Sequence, residues 1–401
     1  MKVTLSLGSQ SFQTQVAHKL LRDGTLGRLL SFGIDPQIFD PDGNGNLKLV
    51  HHYSHYRLLN RILWAAWRRL PGSKVSRHFP VVISATYADW LLSRKLPAAD
   101  IFHGWTGLCL AGLRAARRNG AVTMIENPSM HPRDWQKAVL AECETFGVRP
   151  RECRAVLSSA LIRRMEAEFA AADFIVVPST VACESFGRAG IGHKALVVHA
   201  GIDAEFFKPS EAPAPREMFR VCYTGRVELA KGVAYLLQAW KQLSLPNAEL
   251  LLIGEVAAEM QSLVRQYAMP NVRFTGFLPA DRVADWYRHS HVFAFPSVNE
   301  GLARVLLESM ASGLPVIATR ASGVEDCVTP GEDGTIVPER NPEALAEAIL
   351  WHFHNRDATR QMGTAARASI EARFTVAHYV KRMIRTYCSL LSPRGEIDVL
   401  Q

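Results

Sequence analysis

The stretch HVFAFPSVNEGLARVLLESMASGLPVIAT, from His291 to Thr319, is typical of a buried strand, a helix and a second buried strand. HVFAFPS and LPVIAT are short apolar runs, which favour buried strands. Between them, LARVLLESMASG has a helical pattern that ends at Gly313, and glycine is common just after helices. Apolar strands that alternate with helices predict a parallel sheet covered on both faces.

The same alternation extends along the whole chain. In the first half, the predicted strands are KVTLSL, DIFHG, AVTMIEN, DFIVVPS and ALVVHAG. In the second half, they are FRVCYTG, AELLLIG, NVRFTGF, HVFAFPS and LPVIATR. The Pro- and Ala-rich segment SEAPAPREM separates the two sets and predicts a linker at 208–217. We therefore expect an α/β chain of two doubly wound, Rossmann-like domains, 1–207 and 218–375. The C-terminal helix and tail, 376–401, are expected to pack back on the N-terminal domain.

Composition limits the class of protein. The chain has 401 residues, of which 48% are hydrophobic and 21% charged, as in globular proteins. No apolar run approaches the roughly 18 residues of a membrane span, and the first apolar run is too short for a secretory signal. The 7 cysteines are dispersed without a CxxC pair, so we expect a cytoplasmic protein with reduced thiols and no zinc site. The net charge of +8 suits phosphorylated small molecules or an anionic membrane, and nucleic acid is the least favoured partner.

Two carboxylates frame the helix of the opening stretch. Glu300 lies in the strand-to-helix loop, where ligands bind in doubly wound folds, and Glu308 lies two turns into the helix. Eight residues of helix span roughly 12 Å, which is the order of the distance between the sugar and the ribose of a nucleotide sugar. The N–H groups at the helix start would favour the phosphates between them. The alternative is that one glutamate favours the helix dipole and the other is solvated.

A second motif, YTGRVELAKGVAYLLQAW at Tyr223–Trp240, places two cations after a strand. Arg226 and Lys231 could clamp a diphosphate, the guanidinium as a fork and the ammonium as a point charge. Solvated loop charges are the alternative for this motif by itself.

In this order, the motifs resemble the donor domain of retaining glycosyltransferases of family 4, which have the GT-B fold. The matching pieces are GR-x4-KG, a strand ending in PS, and E-x7-E running into SGLPVIAT. HAGIDAEFFKP resembles the interdomain segment of that family, and SGVEDCVTPGEDGTIVP resembles its glycine-containing loop and last strand. The resemblance covers roughly 174–371 well and the first half more loosely.

The resemblance implies two domains facing a cleft, and metal-independent, retaining transfer of a sugar, as by a hexosyltransferase. The sugar would pass from a nucleoside diphosphate sugar to a hydroxyl acceptor in glycan, glycolipid or polysaccharide biosynthesis, with no further cofactor.

The resemblance also implies roles for single residues. Arg226 and Lys231 would bind the donor diphosphate, Glu300 the hexose and Glu308 the ribose. Backbone N–H groups after Glu300 would help to bind the donor, at Gly301, Leu302 and Ala303.

The first half carries two further candidates. Gly8 follows the first strand, where the family has a glycine loop close to acceptor and phosphate, although a simple turn is an equal alternative. His103 ends the strand DIFHG, where the family has a histidine facing the cleft, and a structural histidine is the alternative. Catalytic roles thus fall to Glu300, His103, Arg226 and Lys231 as electrostatic and positioning groups, without a nucleophile.

The sequence departs from the family pattern in three places. Leu302 and Ala303 replace the Phe and Gly of an EGFG loop, and a Cβ at Ala303 accepts positive φ poorly. Glu126 stands where a histidine is frequent, and nearby His131 is an alternative substitute. Ala200 replaces the usual Asn of the interdomain segment.

The segment His51–Phe79 is basic and contains two tryptophans. As a helix over residues 56–70, it would have an apolar face and an arginine stripe, which leads to the hypothesis of docking on an anionic inner membrane face with a lipid-linked acceptor. An ordinary amphipathic helix packed on the sheet is the alternative.

Three other classes of function are also considered from the sequence. The altered EGLA loop allows a non-catalytic nucleotide-sugar-binding relative that acts as partner or regulator. A dinucleotide-dependent oxidoreductase is disfavoured because no G-x-G-x-x-G follows a strand. A GT-B phosphorylase or epimerase fits the two glutamates less well.

Overall fold

The structure is a computed structural model that describes residues 1–7, 12–31, 36–39, 46–52, 54–68, 79–94, 96–210 and 218–392. Two wholly parallel sheets, one of 7 and one of 6 strands, organise this part of the chain. The predicted fold class, two doubly wound α/β domains, is confirmed.

The N-terminal domain has the strand order β3-β2-β1-β4-β5-β6-β7. Its strands are β1 (Val3–Leu7), β2 (Leu26–Ser31), β3 (Val50–His52), β4 (Ile101–Trp105), β5 (Val122–Glu126), β6 (Phe174–Val177) and β7 (Ala195–Val197). Its helices are α1 (Phe12–Arg22), α2 (Ser54–Arg68), α3 (Phe79–Ser93), α4 (Leu110–Arg118), α5 (Pro132–Thr145), α6 (Ser159–Ala171) and α7 (Thr180–Arg188). The five strands predicted for this half are confirmed. Two strands were not predicted from the sequence: β2, whose apolar run is interrupted by Gly27 and Arg28, and β3, which has only 3 residues.

The C-terminal domain has the strand order β10-β9-β8-β11-β12-β13. Its strands are β8 (Phe219–Thr224), β9 (Ala248–Ile253), β10 (Val272–Gly276), β11 (Val292–Phe295), β12 (Val316–Thr319) and β13 (Gly334–Val337). The helices that follow β8 in the chain are α8 (Val233–Gln242), α9 (Gln261–Gln266), α10 (Ala280–Arg288), α11 (Arg304–Ala311), α12 (Pro342–His354), α13 (Arg356–Arg373) and α14 (Val376–Leu391). All five strands predicted for this half are confirmed.

The order of the C-terminal sheet determines where a ligand can bind. The chain runs outward from β8 through β9 to β10, and then returns to the other side of β8 as β11. The loops after β8 and β11 therefore diverge above neighbouring strands and leave a crevice, which is the usual ligand site of such sheets. Both strands are almost fully buried, so the loops rest on a rigid base.

The last helix returns to the N-terminal domain. Beyond the end of α13, Thr375 pairs with Ile202 where two chain segments cross between the domains. From there α14 buries Tyr379, Met383 and Tyr387 in the core of the N-terminal sheet. None of the described helices is long and apolar enough to traverse a bilayer.

Candidate functional site

The loops after β8 and β11 bring two predicted site residues together. The ammonium of Lys231 donates to the Glu300 carboxylate, and each of these side chains is 16% exposed. Lys231 Nζ also lies 5.9 Å from the ring centroid of Trp135, which belongs to α5 of the N-terminal domain. The ion pair is therefore located at the junction of the two domains.

A glycine allows the two loops to approach this closely. Gly232 follows Lys231 with a φ of +64°, in the left-handed region. A Cβ at this position would lie 1.9 Å from the Pro296 carbonyl oxygen, which only glycine avoids. Hydrogen bonds to the Ala230 carbonyl, from the Ser297 hydroxyl at 3.1 Å and the Val298 N–H at 3.2 Å, fasten the loops to each other.

Arg226 lies in the same loop but faces a neighbouring cavity. Its side chain is 38% exposed, and its Nη1 is 3.5 Å from a carboxylate oxygen of Glu228. The cavity, of about 260 Å³, is lined by residues of both domains, including Arg226, Arg154 and Glu255. Arg226 can thus approach a ligand that extends from the ion pair towards the end of β9.

The loop after Glu300 touches the N-terminal domain through its backbone. The Gly301 carbonyl accepts a hydrogen bond of 2.7 Å from the Ser179 hydroxyl, and a Cβ on Gly301 would lie 2.3 Å from the Pro128 carbonyl oxygen. Leu302 and Ala303 are each 5% exposed. Ala303 has a φ of −69° and a ψ of 115°, so its Cβ causes none of the strain that a positive φ would bring.

Helix α11 begins directly after this loop. No side chain caps its amino end within the described residues, so backbone N–H groups of the first turn can receive an anion. Glu308 lies one turn further along, with a side chain that is 13% exposed. Burial raises the pKa of Glu308, and the guanidinium of Arg304, 3.7 Å away, acts against that rise.

Asn299, just before Glu300, is a polar group that the sequence analysis overlooked. Its side chain is fully buried, and neither its amide oxygen nor its amide nitrogen has a hydrogen-bond partner among the described residues. Leaving a buried polar group unmatched costs about 1–3 kcal/mol. A small movement of this loop around a polar ligand would offset that cost.

His103 lies in the interior of the N-terminal domain and does not face the cleft as the sequence analysis expected. Its side chain is fully buried, and its Nδ1 is 2.7 Å from the Tyr387 hydroxyl of α14. Burial lowers the pKa of His103 to about 3, so the ring is neutral at physiological pH. The cause is the alternation of side chains along β4, which turns this residue towards the face that α14 covers.

Glu126 and His131, the two proposed substitutes for the family histidine, differ in position. Glu126 ends β5, and its carboxylate oxygens accept from the Tyr379 hydroxyl at 3.2 and 3.3 Å. His131 caps α5, where its Nδ1 accepts the Arg133 N–H at 3.4 Å. Glu126 therefore lies beside His103, with its Oε2 3.6 Å from His103 Nε2, on the face of the sheet that α14 covers. Gly8 lies outside the described residues.

Contacts between the domains also involve residues that the sequence analysis did not single out. Thr180, at the start of α7, donates its backbone N–H and its hydroxyl to Asp326 at 2.8 and 2.6 Å. The fully buried Glu142 of α5 accepts hydrogen bonds from Tyr235 at 2.9 Å and from Arg340 at 2.6 Å. The partners in each contact are far apart in sequence. The one sequence feature that could have indicated the first contact is the Ser-Thr pair, Ser179 and Thr180, just after the end of β6.

The segment 51–79 contains α2, in agreement with the helix expected there. On α2, Leu58 and Ile62 are 58% and 55% exposed. Residues 69–78 and the side chains of 51–57 and 67–68 lie outside the described part of the chain. Among the described residues, no group of three His, Cys, Asp or Glu side chains could hold a metal ion.

Comparison with known proteins matches one part of the chain to a family. Residues 205–369 match the family described as glycosyl transferases group 1. The putative glycosyltransferase YtcC of Bacillus subtilis (strain 168) is 29% identical over 226 residues, which cover 50% of this chain and 56% of that protein. The sulfoquinovosyl transferase SQD2 of Arabidopsis thaliana is 31% identical over 216 residues, covering 50% of this chain and 42% of that protein. The chain thus spans about half the length of these curated relatives.

Solved structures resemble the chain over nearly its whole length. The sucrose-phosphate synthase of Thermosynechococcus elongatus superposes with a TM-score of 0.68 at 19% identity, covering 97% of this chain and 99% of that one. Anabaena Alr3699/HepE in complex with UDP-glucose superposes with a TM-score of 0.62 at 16% identity, covering 97% and 100%. The chain therefore has the GT-B fold, and its residues 205–369 match the glycosyl transferases group 1 family.

Proposed function

We propose that this protein is a retaining glycosyltransferase. It transfers a hexosyl group from a nucleoside diphosphate sugar to a hydroxyl of a glycan or lipid-linked acceptor in glycan, glycolipid or polysaccharide biosynthesis. The observation that carries the proposal is the Lys231–Glu300 pair, held where the loops after β8 and β11 diverge and facing the N-terminal domain. The match of residues 205–369 to glycosyl transferases group 1 supports it, as does the likeness to a fold solved with UDP-glucose.

The predicted donor-site residues of the C-terminal domain have roles that suit their positions. Lys231 and Arg226 neutralise the diphosphate, and the backbone N–H of Leu302 and the uncapped start of α11 add donors, whereas the Ala303 N–H already donates to the Ser322 carbonyl at 3.2 Å. Glu300 exchanges its lysine partner for hydroxyl groups of the hexose when the phosphates occupy Lys231. Glu308 accepts a hydrogen bond from the ribose.

The reaction needs charge stabilisation more than a protein nucleophile. The bond between the anomeric carbon and the diphosphate oxygen breaks, and the acceptor oxygen forms its bond on the same face of the sugar. The acceptor proton passes to the departing phosphate, so the products are the glycoside and the nucleoside diphosphate. Because Arg226, Lys231 and the helix start stabilise the leaving group, the proposed reaction is metal-independent.

The test uses two site variants and two matched controls. A thermal-shift screen of nucleotide sugars first identifies the donor, since a ligand of the native state raises apparent stability. Glu300→Gln and Lys231→Ala should then each lower kcat/KM by about 10²-fold or more, the scale for removing one electrostatic contact to the transition state. The controls Glu343→Gln and Lys241→Ala, exposed in the same domain, should retain wild-type rates. Near-normal turnover in either site variant, or a wild type that binds donor without transfer or hydrolysis, would overturn the proposal.

We further propose that α2 and α3 dock the enzyme on the anionic inner face of a membrane, where a lipid-linked acceptor would be located. Ile83, Tyr87 and Trp90 follow one another at spacings of four and three along α3 and are 40%, 45% and 49% exposed. Such spacing puts them on one face of the helix. Arg94 stacks on Trp90 at 5.1 Å and adds positive charge at the edge of this apolar stripe.

Sedimentation with vesicles tests the docking surface. The wild type should co-sediment with vesicles rich in anionic lipid, and binding should weaken with salt because its electrostatic part is screened. Trp90→Ala should lower the bound fraction several-fold. Trp351→Ala, which removes a tryptophan that is 43% exposed on α12, should not change it. Equal binding of the two variants, or no binding by the wild type at low salt, contradicts the docking proposal.

A further inference from the structure

A second cavity lies at the opposite edge of the C-terminal sheet from Lys231 and Glu300. Its volume is about 500 Å³, within the usual range for small-molecule sites. It is lined by residues just before β11, by the 312–315 connection between α11 and β12, and by the first three turns of α13. The cavity therefore borders the amino ends of strands whose carboxyl ends carry the candidate functional site.

The lining of this cavity is strongly basic. Four of the described lining residues are arginines, whereas Asp357 is their one carboxylate. The arginines are Arg288, Arg356, Arg360 and Arg367. Asp285 and Glu371 pair with Arg288 and Arg367 at 2.8 and 2.7 Å, so Arg356 and Arg360 are the lining arginines available to attract an anion.

Two of these arginines make structural hydrogen bonds to backbone carbonyls. Arg367 donates through Nη1 to the carbonyls of Ala204, Phe207 and Ala311 at 2.6 to 2.8 Å. Arg288 donates to the Lys208 carbonyl at 3.1 Å. These bonds hold the chain segment that crosses between the domains, so we assign no ligand to these two side chains.

Arg356 donates no such hydrogen bond within the part of the chain that the structure describes. Its guanidinium carbon lies 4.0 Å from the ring centroid of Phe219, and its Nη1 is buried without a hydrogen-bond acceptor among the described residues. The guanidinium carbon is also 5.3 Å from the ring centroid of Phe353, and burial lowers the pKa of Arg356. A charged donor left unmatched in this way is costly, and a bound anion would offset the cost.

Arg360 is one turn further along α13 and can turn to the same ligand. It pairs with Asp357 at 3.1 Å, but these side chains are 50% and 83% exposed. Exposed ion pairs contribute little stability, so this pair can exchange for a stronger anion at low cost. Two planar guanidiniums on one helix turn match the oxygens of a phosphate group.

We propose that this cavity binds a small organic phosphate, such as a sugar phosphate, through Arg356 and Arg360. Tyr287, Leu314 and Pro315 supply an apolar wall for the carbon skeleton, and the arginines receive the phosphate. The site is separate from the candidate nucleotide-sugar site and does not depend on the proposed function.

Calorimetric titration of the full chain with inorganic pyrophosphate, at constant ionic strength in chloride, tests the proposal. The wild type should show two sites. Arg356→Gln/Arg360→Gln should remove one of them or weaken it at least tenfold, and Lys231→Ala should weaken the other. Arg114→Gln/Arg118→Gln, which changes two exposed arginines of α4, should titrate like the wild type.

The outcomes separate this inference from the proposed function. A single wild-type site that only the Arg356 and Arg360 changes remove supports the cavity and counts against the pyrophosphate role of Lys231. A single site that only Lys231→Ala removes, or no site, overturns the cavity proposal. Thermal melting checks the fold of the double variant. If that variant is unfolded, the single variant Arg360→Gln, at an exposed position, takes its place. Undiminished pyrophosphate affinity of Arg360→Gln would also refute the cavity proposal.

Discussion

Replacing Gly232 with alanine measures how closely the two loops of the candidate site must approach. The new Cβ would lie 1.9 Å from the Pro296 carbonyl oxygen and 2.8 Å from the Pro296 carbonyl carbon. Both are backbone atoms at the end of β11, so no side-chain rotation relieves the contact. Either Lys231 or the loop carrying Glu300 has to move.

Gly276→Ala provides a matched control in the same domain. Gly276 has a φ of +71°, close to the +64° of Gly232, but nothing lies within 4 Å of its ideal Cβ. An alanine in the left-handed region costs about 1–2 kcal/mol at either position. Gly232→Ala adds the overpacking penalty, typically about 1–3 kcal/mol.

Calorimetric melting of the full chain measures the difference in stability between the two variants. For a domain of this size, 1 kcal/mol corresponds to about 2–4 °C in Tm. The transition of the C-terminal domain should therefore fall about 2–12 °C further in Gly232→Ala than in Gly276→Ala.

Nucleotide binding gives an independent measurement. Because Gly232 directly follows Lys231, its replacement should also weaken the affinity for the nucleotide identified in the thermal-shift screen, whereas Gly276→Ala should not. Equal Tm shifts in the two variants would refute the close approach of the loops.

Three further predictions concern buried groups. Tyr387→Phe removes the hydroxyl 2.7 Å from His103 Nδ1 and should lower the free energy of unfolding by about 1–3 kcal/mol without changing nucleotide affinity, as melting and titration would show. Burial raises the pKa of Glu168 from 4.5 to about 7. Between pH 4.5 and about pH 7, Glu168 is therefore protonated in the folded protein and ionised in the unfolded chain. Stability from this group therefore falls as pH rises through that window, and the Tm of the wild type minus that of Glu168→Gln should decrease between about pH 5 and pH 8; a constant difference contradicts the shift. Because burial also raises the pKa of Glu308, lowering the pH should protonate it early and weaken nucleotide affinity, an effect that calorimetry should find absent in Glu308→Gln.

Much of the fold could be predicted because its signals are local. The run VFAF of β11 is wholly buried, and an uninterrupted apolar segment of that length can be satisfied only inside a covered sheet. By contrast, β2 contains Gly27 and Arg28, and its strand character depends on pairing with β1, which no local pattern shows. The prediction failed where a neighbouring strand compensates for a weak sequence.

The candidate site was predictable in kind but not in arrangement. Arg226, Lys231, Glu300 and Glu308 were found because each lies in a loop or helix just after a predicted strand. His103 was misplaced relative to the cleft because nothing near it in the sequence indicates that a helix starting at Val376 covers that face of β4. Trp135 was missed because its neighbour Lys231 is distant along the chain.

The sequence by itself determined the two parallel sheets, the break between them and the polar residues at the strand ends, because burial of apolar runs is a property of each segment. Only the tertiary structure decided that Lys231 pairs with Glu300, that Tyr387 covers His103 and that Arg356 stays without an acceptor among the described residues. These pairings depend on which strands become neighbours and which helix covers each face. Both are set by packing the whole chain, whose contacts join residues far apart in sequence.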